Sequence, residues 1–289
     1  MEIVQSDYGY FSIKNLPTQK ELQTYYSQKY YQEESIQYSH EYTHDELQYF
    51  KSKAEVAQHI FDNLYFQQSN NFLDIGTGEG FFAKNFHDNN WDVTTLDYSA
   101  YGINYHNPEL LHTLIQGDLF QSIEGLCQNQ EKYFNFINLS NILEHVIDPI
   151  HLLKKIKSLL SDKSLLRISV PNDYSAFQDF LLSKNYTTNT WLCPPEHLHY
   201  FTFNSLAKLL KSLGYEIIMK MGEFPIELYL TNNASNYVKD KEVGKLAHTS
   251  RVEVDNFLYN QGIENYINYY KACAEIGLTR QVVIYAKAI

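Results

Sequence analysis

The feature that most constrains the fold is a decapeptide, NFLDIGTGEG, at positions 71–80. Its first half is apolar enough for a short buried strand, and its second half carries glycine at alternate positions. Glycine adopts positive φ without strain, so such a loop can turn tightly and bring its amides close to a ligand. A helix is predicted to begin near Glu79, with its positive dipole end at the same place. Strand, glycine turn and helix together predict a nucleotide-binding loop.

The spacing of the glycines narrows the class of nucleotide. A dinucleotide site favours G-x-G-x-x-G, but here the run is G-x-G-x-G and Phe81 stands where the third glycine of that pattern would be. The loop has no lysine to reach a terminal phosphate, which disfavours a Walker-type site. A tight turn without a ligand stays open as an alternative at this point.

The stretch resembles motif I of the class I S-adenosylmethionine-dependent methyltransferases, whose usual form is close to L-D-I-G-x-G-x-G. The resemblance implies S-adenosyl-L-methionine as the cofactor and a Rossmann-like α/β fold. It assigns to the cofactor site five residues of this stretch: Asp74, Gly76, Thr77, Gly78 and Gly80.

Composition excludes several other classes of protein. The chain has 289 residues, of which 44% are hydrophobic and 20% charged, as in soluble globular proteins. Its net charge of -11 disfavours nonspecific binding to nucleic acid or to an anionic membrane. The chain has neither a run of 18 apolar residues nor a signal peptide, and its three cysteines form no CxxC pair. We therefore expect a cytoplasmic protein with reduced thiols.

The residues before the glycine loop look helical after an irregular start. Apolar residues at steps of three and four predict a helix from about Asp45 to Phe66. A second helical segment is predicted from Thr18 to Tyr31, with Thr18 as its N-cap and Glu21 three residues later. This segment is either a lid over the cofactor or simple packing.

Two further predicted strands end in acidic residues. Trp91 to Asp97 is a β-branched run, and a carboxylate at its end can accept hydrogen bonds from ribose hydroxyls. Both dinucleotide folds and methyltransferases use such an acid, although Asp97 could merely end a strand; Tyr98 is assigned to the same site. The next strand, His112 to Gln116, precedes a Gly-Asp pair. The family resemblance places Asp118 near the adenine amine and the Leu119 amide near a ring nitrogen.

The segment after the fourth predicted strand, Tyr133 to Leu139, gives the most specific match. Its sequence SNILEHVIDP, at positions 140–149, resembles the corresponding segment of small-molecule methyltransferases, including the ubiquinone-pathway O-methyltransferases. Ser140 is assigned to the cofactor site on this basis. Those ubiquinone-pathway enzymes carry a further Glu, three positions before the Glu-His pair, that can help to hold a divalent metal. Asn141 stands at that position here, so we predict no metal.

Histidine and glutamate in this segment are the candidate catalytic residues. Methyl transfer to a hydroxyl needs a group that removes a proton, and imidazole titrates near working pH. We predict His145 as the general base, with Glu144 orienting it or facing the cofactor. The alternative is that both residues only cap a helix and shape the pocket wall. His197 and His199 are the reserve candidates, and His197 belongs to a P-x-H-x-x-x-F-T pattern that recurs in this group.

The resemblance implies a seven-stranded, mostly parallel sheet of order 3-2-1-4-5-7-6 with an antiparallel last pair. The fifth strand is expected at Ser164 to Val170, the sixth at Tyr215 to Lys220 and the seventh at 279–289. We divide the chain into an N-terminal extension (1–45), a methyltransferase core (46–220), a helical insertion (221–278) and the last core strand (279–289). The insertion is either a cap or the surface of a homodimer.

Missing motifs narrow the acceptor. No N-P-P-Y or D-P-P-Y follows the fourth strand, which disfavours a nucleobase amine, and no paired-glutamate hairpin of the arginine methyltransferases is present. A small hydroxylated acceptor remains, either a sugar, such as a nucleotide-linked sugar or polysaccharide precursor, or a phenol. Trp191 and Tyr200 could stack on either. The rival functions are an NAD-dependent oxidoreductase and a noncatalytic methyltransferase-like protein.

Overall fold

A computed structural model of the protein describes residues 2–30, 41–65, 70–129 and 133–289. Helices cover both faces of a central sheet within these residues. The strands are β1 (Ile3–Gln5), β2 (Phe11–Ile13), β3 (Asn71–Ile75), β4 (Asp92–Asp97), β5 (Leu114–Gln116), β6 (Phe134–Ser140), β7 (Leu160–Pro171), β8 (His199–Tyr200), β9 (Tyr215–Gly222) and β10 (Gln281–Ala288). The α-helices are α1 (Gln19–Tyr30), α2 (His44–Leu64), α3 (Phe81–Asp88), α4 (Tyr101–His106), α5 (Leu119–Gln128), α6 (Pro149–Leu159), α7 (Ala176–Ser183), α8 (Phe203–Ser212), α9 (Gly244–Asn260) and α10 (Ile263–Glu275).

The seven-stranded sheet has the predicted topology. Its strands lie in the order β5-β4-β3-β6-β7-β10-β9, which is 3-2-1-4-5-7-6 when the core strands are counted along the chain. β3 pairs in parallel with β4 and β6, whereas β10 runs antiparallel to both β7 and β9. The carboxyl ends of the parallel strands therefore meet at one edge, where open α/β folds bind ligands.

Alternation along the central strands divides the core into two layers. On β3, Leu73 and Ile75 belong to one cluster with Leu152 of α6, while Phe72 belongs to the other with Phe61 of α2. Successive side chains of a strand point to opposite faces, so a strand buried on both faces reads as a nearly continuous apolar run. This burial fixes the position of the loop that follows β3.

The start of the chain is regular rather than irregular. β1 and β2 form an antiparallel hairpin, and β2 pairs with β8 to complete a three-stranded sheet. Ser12 lies opposite His199, and Phe11 lies opposite Tyr200. The strands are too short to give a period-2 signal, and their partner is far away in sequence, which is why the pattern of residues 1–17 did not predict them.

Helix and strand bounds differ from the predicted ones where local chemistry intervenes. α2 begins one residue early because the preceding Thr43 forms a capping box with Glu46, and it ends at Leu64. α3 begins at Phe81 rather than near Glu79, since Gly80 precedes it at a φ of 82°. The third core strand is reduced to Leu114–Gln116 because Pro108–Thr113 forms a 3₁₀ helix. Phe66 and Tyr31, the predicted ends of two helices, lie outside the described residues.

The segment from 221 to 278 begins with the end of β9 and contains two 3₁₀ helices (Ile226–Thr231 and Lys241–Val243) before α9 and α10. α10 packs on β9, and α9 packs on α2, which places the two helices beside the core. Among the described residues, none of the helices combines the length and apolar character needed to cross a membrane. The division of the chain into four parts stays a prediction.

Candidate active site at the carboxyl edge of the sheet

The glycine loop after β3 has the backbone that its sequence predicts. Gly76, Gly78 and Gly80 have φ angles of 73°, 58° and 82°, a region that side chains with a Cβ rarely adopt. At Gly76 a Cβ would also lie 2.1 Å from Cδ1 of Ile142. Close packing and positive φ together require glycine here.

Asp97 holds the loop from the neighbouring strand. Its Oδ2 accepts a hydrogen bond of 2.8 Å from the Gly78 amide, and its Oδ1 accepts one of 3.0 Å from the Ser99 amide. Burial raises the pKa of Asp97, while these backbone hydrogen bonds oppose that rise. Each oxygen retains a lone pair that can accept from a ribose hydroxyl.

Asp74 supports the loop from within the sheet. It is 2% exposed, and its carboxylate accepts hydrogen bonds from Thr77 Oγ1 at 2.9 Å and Asn138 Nδ2 at 2.7 Å. Burial raises the pKa of Asp74 to about 6, although both hydrogen bonds act in the opposite direction. The side chain therefore shapes the loop, as part of the structure beneath the cofactor site.

Asp118 and Tyr98 come together at the far end of the site. The Tyr98 hydroxyl donates to Asp118 Oδ2 at 2.6 Å, and Asp118 Oδ1 caps α5 by accepting from the Gln121 amide at 3.0 Å. Leu119 is the first residue of α5. Gln19 of α1 also donates to Asp118, at 3.3 Å. The predicted adenine-binding residues thus lie beneath the N-terminal extension.

Glu144, His145 and His197 also form one group. His145 Nε2 lies 3.7 Å from Glu144 Oε1, and the rings of His145 and His197 are 4.9 Å apart between centroids. His145 Nδ1 lies 2.7 Å from the carbonyl oxygen of Glu196. A carbonyl can only accept, so Nδ1 carries a proton, and in the neutral form of the ring the lone pair is at Nε2. That tautomer suits a general base.

Glu144 is the most unusual acid of the site. It is 1% exposed, and neither carboxyl oxygen has a hydrogen-bond partner among the residues that the structure describes. Burial raises the pKa of Glu144 to about 8, and the charge of Asp173 acts in the same direction. At neutral pH the carboxyl therefore carries a proton and can donate a hydrogen bond, in contrast to an ordinary glutamate.

His199 has a different role from its neighbours. Its Nδ1 lies 2.7 Å from Ser12 Oγ, and its Nε2 lies 2.9 Å from the carbonyl of Val146. The side chain is 3% exposed, and burial lowers its pKa. Because both ring nitrogens already have protein partners, the reserve assignment of His199 as a base is wrong, and the residue holds the loop backbone instead.

The group of Glu144, His145 and His197 bears on the question of metal binding. One donor atom from each residue lies within 4.8 Å of the other two, a spacing that could hold a metal ion. One carboxylate and two imidazoles suit a transition metal better than Mg²⁺, and the Glu144 proton would have to leave first. Asn141, which motivated the prediction of no metal, is exposed. That prediction stays untested.

Sequence reasoning missed two residues that connect this site to the core. Asn138 bonds Asp74, and its Oδ1 accepts from Arg167 Nη1 at 2.9 Å; the same guanidinium lies 3.4 Å from Ser140 Oγ. Both residues are almost fully buried in the middle of apolar strands. A polar residue inside a buried strand is costly unless it is paired, and that signal could have identified them.

Comparisons with known proteins agree with this geometry. A family described as Methyltransferase domain matches residues 44–220, which is more than half of the chain. No curated protein matches the chain in sequence. A SAM-dependent methyltransferase from Archaeoglobus fulgidus is 21% identical, with 82% of this chain and 94% of that chain covered and a TM-score of 0.50. The plantazolicin methyltransferase BamL, solved with S-adenosylhomocysteine and a triazolic analogue, is 13% identical. The match covers 94% of this chain and 91% of that chain, with a TM-score of 0.52.

The chain therefore belongs to the methyltransferase-domain family. It is a SAM-dependent methyltransferase, and S-adenosyl-L-methionine is its cofactor. The structural likenesses, at low identity, show the shared fold. The prediction of an NAD-dependent oxidoreductase as an alternative is wrong.

Proposed function

We propose that this methyltransferase O-methylates a small hydroxylated acceptor, with a sugar, either nucleotide-linked or a polysaccharide precursor, favoured over a phenol. The observation that carries the proposal is the tautomer of His145, whose Nδ1 donates to the Glu196 carbonyl and whose Nε2 faces Glu144. A hydroxyl is a weak nucleophile until a base removes its proton, and such a base contributes roughly 10²–10⁴-fold to the rate.

In this proposal the cofactor lies along the carboxyl ends of β3, β4 and β5. The glycine loop approaches the methionine part, Asp97 accepts from the ribose hydroxyls, and Asp118 with the Leu119 amide binds adenine. The support for this placement is that Asp97 bonds the Gly78 amide while Tyr98 bonds Asp118, which makes the two acids neighbours in one cleft.

The N-terminal helix α1 covers this cleft. Gln19 reaches Asp118 at the adenine end, and the Tyr25 hydroxyl donates to Glu196 Oε1 at 3.0 Å beside the catalytic group. Because α1 contacts both ends of the cleft, these contacts favour a role of α1 as a lid over the cofactor rather than as simple packing. Excluding water at the sulfonium would strengthen the electrostatic interactions around the transferring methyl group.

Replacement of His145 tests the proposal. With a panel of glycosides and phenols as acceptors, His145→Ala should lower methyl transfer by about 10²-fold or more while S-adenosylhomocysteine still binds in calorimetry. His151→Ala is the matched control, since His151 is an exposed histidine on the adjacent helix α6. Unchanged turnover in His145→Ala would remove the residue from the role of base. If phenols are methylated and glycosides are not, O-methylation is supported and the sugar acceptor is refuted.

A further inference from the structure

A cavity of about 280 Å³ opens at the carboxyl edge of the sheet, next to the start of β10. It is lined by Gln178, Leu181, Thr187, Thr190, Trp191, Glu227, Leu230, Tyr237, Val238 and Arg280. This volume is just below the roughly 300–1,000 Å³ of pockets for drug-sized ligands, so the cavity suits a ligand as small as a single ring and is too small for a long chain.

The topology places this cavity on the acceptor side of the catalytic group. The four strands β3, β6, β7 and β10 are neighbours in this order in the sheet. The glycine loop follows β3, and Glu144 follows β6. Asp173 follows β7, and Arg280 directly precedes β10. Asp173 and Arg280 are close enough for their charges to affect the pKa of Glu144. Cofactor loop, catalytic group and cavity thus follow one another along a single edge.

The residues that close the cavity come from parts of the chain outside the minimal fold. Glu227 and Leu230 belong to the first 3₁₀ helix of the insertion, and Tyr237 and Val238 follow it. The opposite wall is α7 and the segment before Trp191. The first half of the insertion therefore acts as a cap on this cavity.

A buried polar network gives the cavity its charge. Arg280 Nη1 donates to Asp173 Oδ1 at 2.7 Å and lies 3.8 Å from Glu227 Oε1. Gln178 Nε2 joins the same two carboxylates, at 3.1 Å and 2.9 Å. Asp173 lies outside the lining and is the nearer partner of Arg280, so the guanidinium shares its charge between two carboxylates and balances Glu227 on the wall only in part. An acidic ligand would be repelled by the carboxylate of Glu227.

The rest of the lining is apolar or aromatic. Trp191 and Leu181 are 5% and 0% exposed, Leu230 is 2% exposed, and Tyr237 adds a second aromatic ring. Aromatic faces pack against C–H surfaces, whereas carboxylates accept from hydroxyls. A sugar ring offers both, with an apolar face and a rim of hydroxyl donors. A phenol carries a single hydroxyl and so offers the carboxylate of Glu227 fewer donors than a sugar does.

From this lining we infer, resting on the function proposed above, that the cavity binds the methyl acceptor as a sugar ring, and that the bound ring carries no acidic group. Glu227 is the residue that selects against acids, because its carboxylate lines the cavity while Arg280 bonds more closely to Asp173. Gln178 positions it through the 2.9 Å hydrogen bond.

Saturation-transfer NMR on the full chain, saturated with S-adenosylhomocysteine, tests this inference. The probes are methyl β-glucopyranoside, its 2-amino analogue, methyl β-glucuronide and p-cresol. We expect signals from the first two and at least a fivefold weaker signal from the glucuronide. A glucuronide or p-cresol signal as strong as that of the neutral glycoside, or no signal from any glycoside, overturns the inference.

Glu227→Gln supplies the variant, since it keeps the size of the side chain while removing its charge. The Glu227→Gln variant should give a glucuronide signal within twofold of that of the neutral glycoside. The control is Glu242→Gln, at an exposed glutamate of the same insertion, which should keep the fivefold difference between the glucuronide and the neutral glycoside. Equal discrimination in Glu227→Gln and the unaltered protein overturns the role of Glu227. Failure of S-adenosylhomocysteine to bind the unaltered protein would instead contradict the cofactor site, which separates the two outcomes.

Discussion

Arg167 donates a hydrogen bond of 2.9 Å to Asn138, directly opposite it on the neighbouring strand. Asn138 in turn lies opposite Asp74 and donates to it, so three polar residues form a row across β3, β6 and β7. The row continues to Glu223, whose carboxylate contacts both Arg167 and Lys53. The cofactor loop is thereby connected through side chains to the helix α2.

Arg167→Met should destabilise the protein by about 1–3 kcal/mol, because it leaves Asn138 Oδ1 without its donor and removes one of the two cations that contact the buried carboxylate of Glu223. Urea unfolding measures the change. The matched control is Lys287→Met, which removes an ion pair of 2.9 Å with Glu216 at the surface, where the two side chains are 38% and 52% exposed. We expect a loss of at most about 1 kcal/mol there. Equal losses in the two variants would show that the row contributes no more than a surface pair.

Asp74 should make stability depend on pH. Its pKa is raised from the ordinary value of 3.8 to about 6 in the folded protein, so the folded state binds the proton more tightly than the unfolded state. Its contribution to stability is therefore present at low pH and is lost as pH rises through about 6. Between pH 5 and pH 7 the free energy of unfolding should fall by about 1 kcal/mol relative to Asp74→Asn. Parallel pH profiles of the two proteins would contradict the raised pKa.

Glu144→Gln should keep most of the methyl-transfer activity at pH 7. Burial raises the pKa of Glu144 to about 8, and glutamine reproduces the uncharged form in shape and in its ability to donate a hydrogen bond. We expect a turnover within about tenfold of the unaltered protein, compared with the loss of about 10²-fold or more for His145→Ala. If the two variants are equally inactive, the carboxyl group acts in its ionised form.

Gly76→Ala should weaken binding of S-adenosylhomocysteine. Alanine is strained at a φ of 73°, and its Cβ would displace Ile142 at the base of the loop. Gly125, in the helix α5, has no atom within 4 Å of the position of a Cβ, so Gly125→Ala should leave affinity unchanged and raise stability by about 0.5–1 kcal/mol. Calorimetric titration of both variants measures the difference, and equal affinities would show that the loop tolerates a side chain.

The sequence predicted the central sheet because its signals are local. Short apolar runs, glycines at positive φ and helical periodicity all arise within about 20 residues, and the strand order followed from the family resemblance. The same is true of Asp97, which ends β4, and of Asp118, which follows β5 and caps α5. The group of Glu144, His145 and His197 was only partly predictable, since the resemblance named the residues but could not give the contact between segments 50 residues apart.

What the sequence could not reveal depends on pairing across the chain. The hairpin of β1 and β2 lacks a periodic signal, and the role of His199 follows from Ser12, 187 residues away. The charge at the cavity likewise depends on Arg280, just before β10, meeting Asp173, just after β7, and Glu227, in the insertion. For His199 the residue type suggested a base, but only the fold supplies its partners.

The bond between Ser12 and His199 has a consequence for the order in which the protein is made. The backbone amides of Leu198 and His199 hold the carbonyl of Glu144, so the catalytic turn depends on a strand that pairs with the opening hairpin. The ribosome must synthesise about 200 residues before β2 and β8 can pair, and pairing between strands far apart in sequence is slow. We therefore expect the nascent chain to form its glycine loop early and the turn at Glu144 and His145 late, so that the loop is complete before the proposed base is in place.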